Sequence, residues 1–172
     1  GRGVDRKYAE NFNQHIGLYE IIPEDKNLEY GGVLMRYGRK QFAYSQTPDF
    51  YYAFPLLAQK GSCDLSSVSA STIGGAVNFG EIANLSDKAQ TVQVEISAFR
   101  PGGRVENFNF EKSIGPRSQH HIGLHEFLGP NTLGKFRVRC KDPEGSLLVQ
   151  SVFYGNPSGL PSAYDWAYAT QA

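Results

Sequence analysis

An unbroken alternation between apolar and polar side chains is the feature that most constrains the fold of this chain. It runs through residues 90–99, QTVQVEISAF, where Val92, Val94, Ile96 and Ala98 occupy alternate positions. Successive side chains of a β-strand point to opposite faces of its sheet, so these four residues share one face. The segment therefore predicts a strand with one buried face and one solvated face.

Similar segments follow at short intervals, each ended by turn-forming residues. Residues 134–140 alternate in the same way, and their pattern predicts that Cys140 faces a core. PGG at 101–103 and DPEG at 142–145 favour turns. The predicted strands lie at about 78–84, 90–99, 103–113, 118–128, 134–140, 146–154 and 163–171. Short strands at this spacing are typical of an antiparallel immunoglobulin-like sandwich, so the predicted fold class is all-β.

Pairs of similar segments, in the same order, indicate an internal repeat. The pairs lie at 15–20 and 121–126 (HIGLYE, HIGLHE), 33–38 and 151–155 (VLMRYG, SVFYG), and 49–54 and 165–170 (DFYYAF, DWAYAT). Their separation is close to the length of one immunoglobulin-like unit, about 100 residues. We therefore expect residues 1–62 to form a partial repeat with later strands only, and residues 63–172 to form a complete sandwich.

A partial sandwich leaves an unpaired sheet edge, which another segment must cover. Three explanations stay open for this chain. It is a fragment of a longer array, or its extra strands merge with the complete unit into one domain, or a neighbouring subunit donates the missing strands by β-augmentation.

Charge and hydropathy exclude several broad classes of protein. Lys+Arg and Asp+Glu both total 17, so the formal net charge is zero, whereas nucleic-acid binding needs an excess of cations to displace counterions. No run of about 18 apolar residues is present, so we expect no membrane insertion. The first residues, GRGVDRKYAENFN, lack an apolar region, so we expect no signal peptide in this sequence.

The sequence contains no motif that indicates catalysis, so we expect no catalytic residues and no cofactor. The GxSxG turn of serine hydrolases is absent. Gly74-Gly75 and Gly102-Gly103 lack the strand–loop–helix context of a phosphate-binding loop. Two carboxylates that meet only in the fold, as in glycoside hydrolysis, stay an alternative that one sequence does not exclude.

His120, His121 and His125 form the one local group of metal-ligating side chains. In a strand, His121 and His125 would share a face and His120 would lie on the other. The first copy of the repeat has Tyr19 at the position of His125, so the pair is not part of the repeated pattern. We therefore favour structural histidines that hydrogen-bond the backbone over a zinc or copper site.

Two short features are compatible with covalent modification. Cys63 and Cys140 allow one disulfide or none, and a disulfide would indicate an oxidising compartment. Asn84-Leu85-Ser86 matches an N-glycosylation sequence at a predicted turn.

The segment 42–54, FAYSQTPDFYYAF, contains more aromatic residues than one core strand needs. Tyr44, Tyr51 and Tyr52, with Trp166 in the matching segment, could form a platform for sugar rings, because aromatic faces combine apolar area with a polar tip. The alternative, which we favour, is a packed core together with a subunit contact, since Tyr and Trp are also common at interfaces.

Several turn and strand motifs occur in order along residues 77–155. They are IANLSDKAQTVQVEISAFRPGGRV, IGPRSQHHIGLHEFLG, GKFRV and GSLLVQSVFYG. In this order they resemble the β-sandwich repeats of bacterial cell-surface and secreted proteins, and residues 15–54 resemble them in part. The resemblance implies export and a role as a spacer, adhesive stalk or assembly module, with no catalytic residues.

The sequence therefore predicts a non-catalytic structural or adhesive module of an extracellular or cell-surface assembly. Its expected partners are neighbouring copies or repeats of the same protein, which it would contact by strand complementation and aromatic patches. The alternative is a carbohydrate-binding module whose aromatic platform binds surface glycans.

Overall fold

Eight of the described strands form two antiparallel sheets that pack face to face. The computed structural model describes residues 61–155 and Asp25 with their side chains, and the strands 32–38, 49–56 and 166–171 as backbone, with side chains there only at 169 and 170. The strands are β1 Gly32–Gly38, β2 Asp49–Leu56, β3 Ser66–Ser71, β4 Val77–Asn84, β5 Gln90–Phe99, β6 Val105–Ile114, β7 Ser118–Gly123, β8 Leu133–Cys140, β9 Leu147–Gly155 and β10 Trp166–Gln171. A short helix, α1 Leu124–Leu128, lies between β7 and β8.

The two sheets have the strand orders β10-β9-β4-β7 and β3-β8-β5-β6. Every neighbouring pair in them is antiparallel. The chain crosses between the sheets after β3, β4, β6, β7 and β8, as expected when both inner faces enclose one core. The predicted all-β antiparallel sandwich is confirmed. β1 and β2 form a separate antiparallel pair, and Cα atoms of β2 and β10 approach within 8 Å.

The alternating segment at 90–99 forms the centre of one sheet. β5 pairs along its length with β6 on one side and with β8 on the other. Its apolar residues at positions 92, 94, 96 and 98 are at most 2% exposed. Cys140 also faces the core, as its position in the pattern of β8 predicts. Full burial of one such aliphatic side chain stabilises the fold by roughly 1.5–3 kcal/mol, so the alternation itself selects the buried face.

The ring of Phe136 fills the space between the sheets beside Gly80. Phe136 is fully buried, and a Cβ atom added to Gly80 would lie 2.6 Å from its ring atom Cε1. Carbon atoms in contact normally lie about 3.5–4.0 Å apart. The absence of a side chain at Gly80 therefore provides the recess in β4 that the ring occupies.

A disulfide joins Cys63 to Cys140, whose Cα atoms lie 5.0 Å apart. It connects the residues before β3 to the end of β8. Beside it, Ser62 and Leu147 exchange main-chain hydrogen bonds of 3.0 and 3.1 Å. The entry of the chain into the sandwich is thus fixed covalently to one sheet and by hydrogen bonds to the other.

The predicted strand at 118–128 is wrong in its second half, where the one-turn helix α1 lies. Leu124 and Leu128, four residues apart, are both fully buried, and this is the spacing of one helix face. The turn ends at Gly129, where φ is 71° and the N–H donates to the carbonyl of His125 at 3.1 Å. Glycine adopts this positive φ without steric cost, so it ends the helix.

Strand β3 is absent from the set that the sequence predicts. Its sequence is SSVSAS, and it pairs with β8 at the edge of one sheet. Val68 and Ala70 alternate and are buried, at 5% and 0% exposure. Serine is only weakly polar and alanine only weakly apolar, so the alternation gives little hydrophobic contrast.

The partial repeat and the division at residues 62 and 63 stay predictions. Residues 15–20 lie outside the described residues. The other matching segments form antiparallel pairs, β1 with β2 and β9 with β10. Strands consecutive in the chain pair so commonly that these pairings do not distinguish a repeat from two ordinary hairpins.

Candidate functional site

The aromatic residues selected from the sequence lie on strands that approach each other, or outside the described residues. Tyr51 and Tyr52 lie in β2, and Trp166 begins β10. Cα atoms of these two strands approach within 8 Å. Tyr44, and the side chains of the other three, lie outside what the structure describes. An aromatic platform therefore stays a prediction.

His120 and His121 lie in β7, whereas His125 lies in α1, so the three histidines do not share one strand. His125, in α1, has Nδ1 2.9 Å from the carbonyl oxygen of Asn78, which is the backbone contact expected of a structural histidine. His121, in β7, has Nε2 3.3 Å from Oε1 of Glu81. Among the described residues, no three His, Cys, Asp or Glu side chains are grouped closely enough to hold a metal ion.

His120 lies at the edge of the core, on the opposite face of β7 from His121. Burial, the positive charge of Lys112 and that of His121, in this order, lower the pKa of His120. All three causes disfavour the protonated imidazole. The folded protein therefore favours the neutral form of the His120 side chain.

A row of polar side chains crosses the outer face of the sheet that contains β4. His121 and Gln150 lie directly opposite Glu81 on the two neighbouring strands. The Gln150 amide donates a hydrogen bond to Oε2 of Glu81, and the Gln119 amide approaches the same oxygen at 3.5 Å. Glu81 is only 9% exposed. These hydrogen bonds replace much of the hydration that the carboxylate loses on burial.

Aromatic rings lie beside this row on the same face of β4. Phe79 precedes Glu81 by two positions, so both side chains point the same way. The centroid of its ring lies 5.2 Å from that of His125 and 6.0 Å from that of Tyr154, both in edge-to-face geometry. We call Phe79, Glu81, His121, Gln150 and Tyr154 the polar–aromatic face. Carboxylate and amide groups can bind hydroxyl groups, and rings can stack on the apolar faces of sugars.

Strand β6 forms an open edge among the strands that the structure describes. It pairs with β5 over ten residues and has no described strand on its other side. Phe108 and Phe110 are partly buried and pack on Phe127 of α1, with ring centroids 5.4 and 5.8 Å from its ring. The alternate positions of β6, from 105 to 113, point to the outer face of the sheet and are exposed. The β6 edge thus presents unpaired backbone groups together with partly covered aromatic rings.

An exposed apolar row crosses the outer face of the same sheet at one end. Phe99 lies directly opposite Leu133 on one side and Val105 on the other. These side chains are 43%, 51% and 51% exposed, respectively. A shallow groove of about 540 Å³ extends from Phe99 and Leu133 along β3. Exposed apolar residues grouped in this way are typical of contact surfaces.

Glycosylation at the matching sequence Asn84-Leu85-Ser86 is incompatible with the fold, because the Asn84 side chain is fully buried. Its Nδ2 donates to the carbonyl oxygens of Lys88 and Gly115 at 2.8 and 2.7 Å. Its Oδ1 accepts hydrogen bonds from the N–H and hydroxyl of Ser86 at 3.0 and 2.7 Å. Asn84 therefore connects the turn after β4 to the turn after β6. A glycan on its amide nitrogen would break these hydrogen bonds.

The polar–aromatic face and the β6 edge were missed by reasoning from the sequence. Glu81 and Gln150 are far apart in the chain, and only the registers of β4 with its two neighbours bring the polar row together. At β6, the alternation of Phe108 and Phe110 was a signal, since it predicts that both rings share one face.

Comparison with known proteins gives little guidance. No protein-family model matches this chain, and no curated protein matches its sequence. One similar solved structure is the crystal structure of Thermotoga maritima 1070, with 13% sequence identity and a TM-score of 0.48. The similarity covers 64% of this chain and 92% of the other.

The helical part of the described chain contains no segment with the length and apolarity that are needed to cross a bilayer.

Proposed function

We propose that this protein is a non-catalytic structural or adhesive module that works by contact with neighbouring copies of itself. The observation on which the proposal depends is the β6 edge. It offers ten residues in regular register with β5, and the aromatic pair Phe108 and Phe110 lies along it.

An open edge strand has backbone N–H and C=O groups that can pair with another chain. Proteins that stay monomeric protect such edges with proline, bulges, short strands or charged side chains, lysine above all. Of these protections, β6 carries only charged side chains, Lys112 among them. β6 contains no proline and its register with β5 has no shift. The other edge strands of the two sheets, β3, β7 and β10, each have six residues. β6 is therefore the described edge best suited to pairing.

Two further observations support contact with other molecules outside the cytosol. The exposed row of Phe99, Leu133 and Val105 offers apolar area beside the β6 edge. The Cys63–Cys140 disulfide favours an oxidising location, since cytosolic thiols are kept reduced. An extracellular or cell-surface position belongs to the same proposal.

The test is the molar mass of the purified protein over a wide range of concentration, measured by size exclusion with light scattering. We expect association that increases with concentration. Asn109→Lys places a charge at the middle of the β6 edge and should weaken association. Ser69→Lys, an exposed position of the same type on the β3 edge, is the matched control and should leave association unchanged. A monomer at every concentration would refute the proposal.

Carbohydrate binding is a second candidate, which the polar–aromatic face favours. This face combines the carboxylate of Glu81, the amide of Gln150 and the ring of Phe79 within one row of strands. Glycan-array binding that disappears in Glu81→Gln would support this face as the site. Loss in Tyr51→Ala or Trp166→Ala would instead support the aromatic platform predicted from the sequence. No binding across a broad array would eliminate this candidate.

A further inference from the structure

We infer that β6 pairs antiparallel with β6 of a second copy, about a two-fold axis that passes through Asn109. This inference rests on the proposed function, because it identifies the partner and the register for the same edge. It joins two four-stranded sheets into one continuous sheet of eight strands in a closed dimer.

The orientation of the side chains restricts the registers that such a pairing can adopt. In an antiparallel pair, residues directly opposite each other point to the same face of the sheet. Phe108 and Phe110 face the sandwich interior of their own copy, and Glu106 and Lys112 lie on the same side of β6. The inner faces of both copies line up only when inward residues oppose inward residues. The axis must then pass through a residue, and not between two residues.

With the axis at Asn109, the inward side chains are complementary from residue 106 to residue 112. Phe108 of each copy lies opposite Phe110 of the other, and Glu106 lies opposite Lys112. Aromatic pairs and opposite charges are the cross-strand pairs that stabilise sheets. On the outer face, Asn109 opposes Asn109 of the second copy, where two amides can hydrogen-bond to each other.

Neighbouring registers lose the opposite-charge pairs and keep one aromatic pair in place of two, a phenylalanine opposite its own copy on the axis. An axis at Phe108 places Lys112 opposite Arg104, which brings two positive charges together. An axis at Phe110 places Lys112 opposite an aromatic ring and Glu106 opposite the buried Ile114. The sequence of β6 therefore favours one register over those shifted by two residues.

The surroundings of Lys112 and Glu106 fit this arrangement. Lys112 forms no ion pair with a residue that the structure describes, and the imidazole of His120 is near it. Glu106 is 44% exposed and already accepts a hydrogen bond from Arg100 at 2.8 Å. A lysine on an edge strand commonly prevents pairing. Here Glu106 of the second copy lies opposite Lys112, so the two charges attract in this register and disfavour the registers that separate them.

The first experiment is cross-linking through an introduced cysteine in the full chain, under mild oxidation that leaves the Cys63–Cys140 disulfide intact. Asn109→Cys should form a covalent dimer, because the two copies of this residue are directly opposite on the axis. Val105→Cys, which is also exposed, is the control and should not, because its partner in this register is Ser113. A protein that associates without the Asn109→Cys cross-link would refute the register and leave the proposed function in place.

The second experiment exchanges charges between two variants. Glu106→Lys alone opposes Lys with Lys, and Lys112→Glu alone opposes Glu with Glu, so each variant should dimerise about tenfold more weakly than the wild type. An equimolar mixture restores both opposite-charge pairs and should form a heterodimer with near wild-type affinity. Thermal melting of each variant alone verifies that it is folded. If the mixture of folded variants associates no better than either variant, the inferred pairing is wrong. A wild type that stays monomeric would refute both the pairing and the proposed function.

Discussion

Replacement of Asn84 tests whether the two turns that it connects depend on its side chain. The amide makes four close hydrogen bonds, two as donor to Lys88 and Gly115 and two as acceptor from Ser86. A typical intramolecular hydrogen bond contributes about 1 kcal/mol to stability. We therefore expect Asn84→Ala to lower the free energy of unfolding by about 4 kcal/mol, measured by urea denaturation.

Asn84→Asp is the matched variant, because it keeps the shape of the side chain and loses only the donor. At neutral pH its carboxylate would face the carbonyl oxygens of Lys88 and Gly115, so the loss of stability should be at least as large as in Asn84→Ala. Burial, together with the two carbonyl oxygens that its second oxygen faces, raises the pKa of such a carboxyl above about 3.9, its value in the unfolded chain. The stability of this variant relative to the wild type is therefore greatest in acid and falls as the pH rises through the folded pKa.

The decisive assay is urea denaturation of all three proteins at pH 4 and pH 7. The difference between Asn84→Asp and the wild type should grow by at least about 1 kcal/mol from pH 4 to pH 7, because one unit of pKa is worth about 1.4 kcal/mol and part of this is already lost at pH 4, close to the unfolded pKa. The difference for Asn84→Ala should stay constant. A loss of stability below about 1 kcal/mol in both variants, or no effect of pH on the Asp variant, would show that the hydrogen bonds of Asn84 do not hold these turns.

Three further predictions follow from other contacts. Serine at both Cys63 and Cys140 should lower the free energy of unfolding by about 4 kcal/mol, because it opens a loop with a sequence separation of 77; an unchanged urea midpoint would contradict this. Gly134→Ala should lower the melting temperature by several degrees, because its Cβ would overlap the carbonyl oxygen of Ser97; an unchanged melting temperature would show that the backbone can shift. The lowered pKa of His120 means that the unfolded state takes up a proton first, so the folded state loses stability as the pH falls below about 6.5. His120→Gln should flatten this part of the stability profile, and an identical slope would mean that another group is responsible.

The strands with strong hydrophobic contrast could be predicted from the sequence. β5 has the predicted bounds, and the core side of β8 is the predicted one. In these strands the local pattern and the tertiary burial select the same face. β3 could not be found in this way, because Ser and Ala differ too little for a pattern to appear. α1 was missed because its apolar residues continue the apolar character of β7, and one helical turn is too short to establish a period.

The residues of the candidate site come together through long-range strand pairing, which local sequence patterns do not reveal. Glu81 is near His121 and Gln150 because of the strand registers, which local patterns do not determine. Asn84 matched a glycosylation sequence because that motif is defined by three consecutive residues and takes no account of burial. In the fold, its Nδ2 donates a hydrogen bond to the carbonyl of Gly115, which belongs to a turn much later in the chain.

The close fit of Phe136 against Gly80 has a consequence for how this protein can diverge. A side chain at Gly80 would collide with the ring, and a smaller residue at Phe136 would leave an empty space between the sheets. Either change alone is costly, so the two positions are expected to change together. Homologues with alanine or valine at the first position should have a smaller residue at the second.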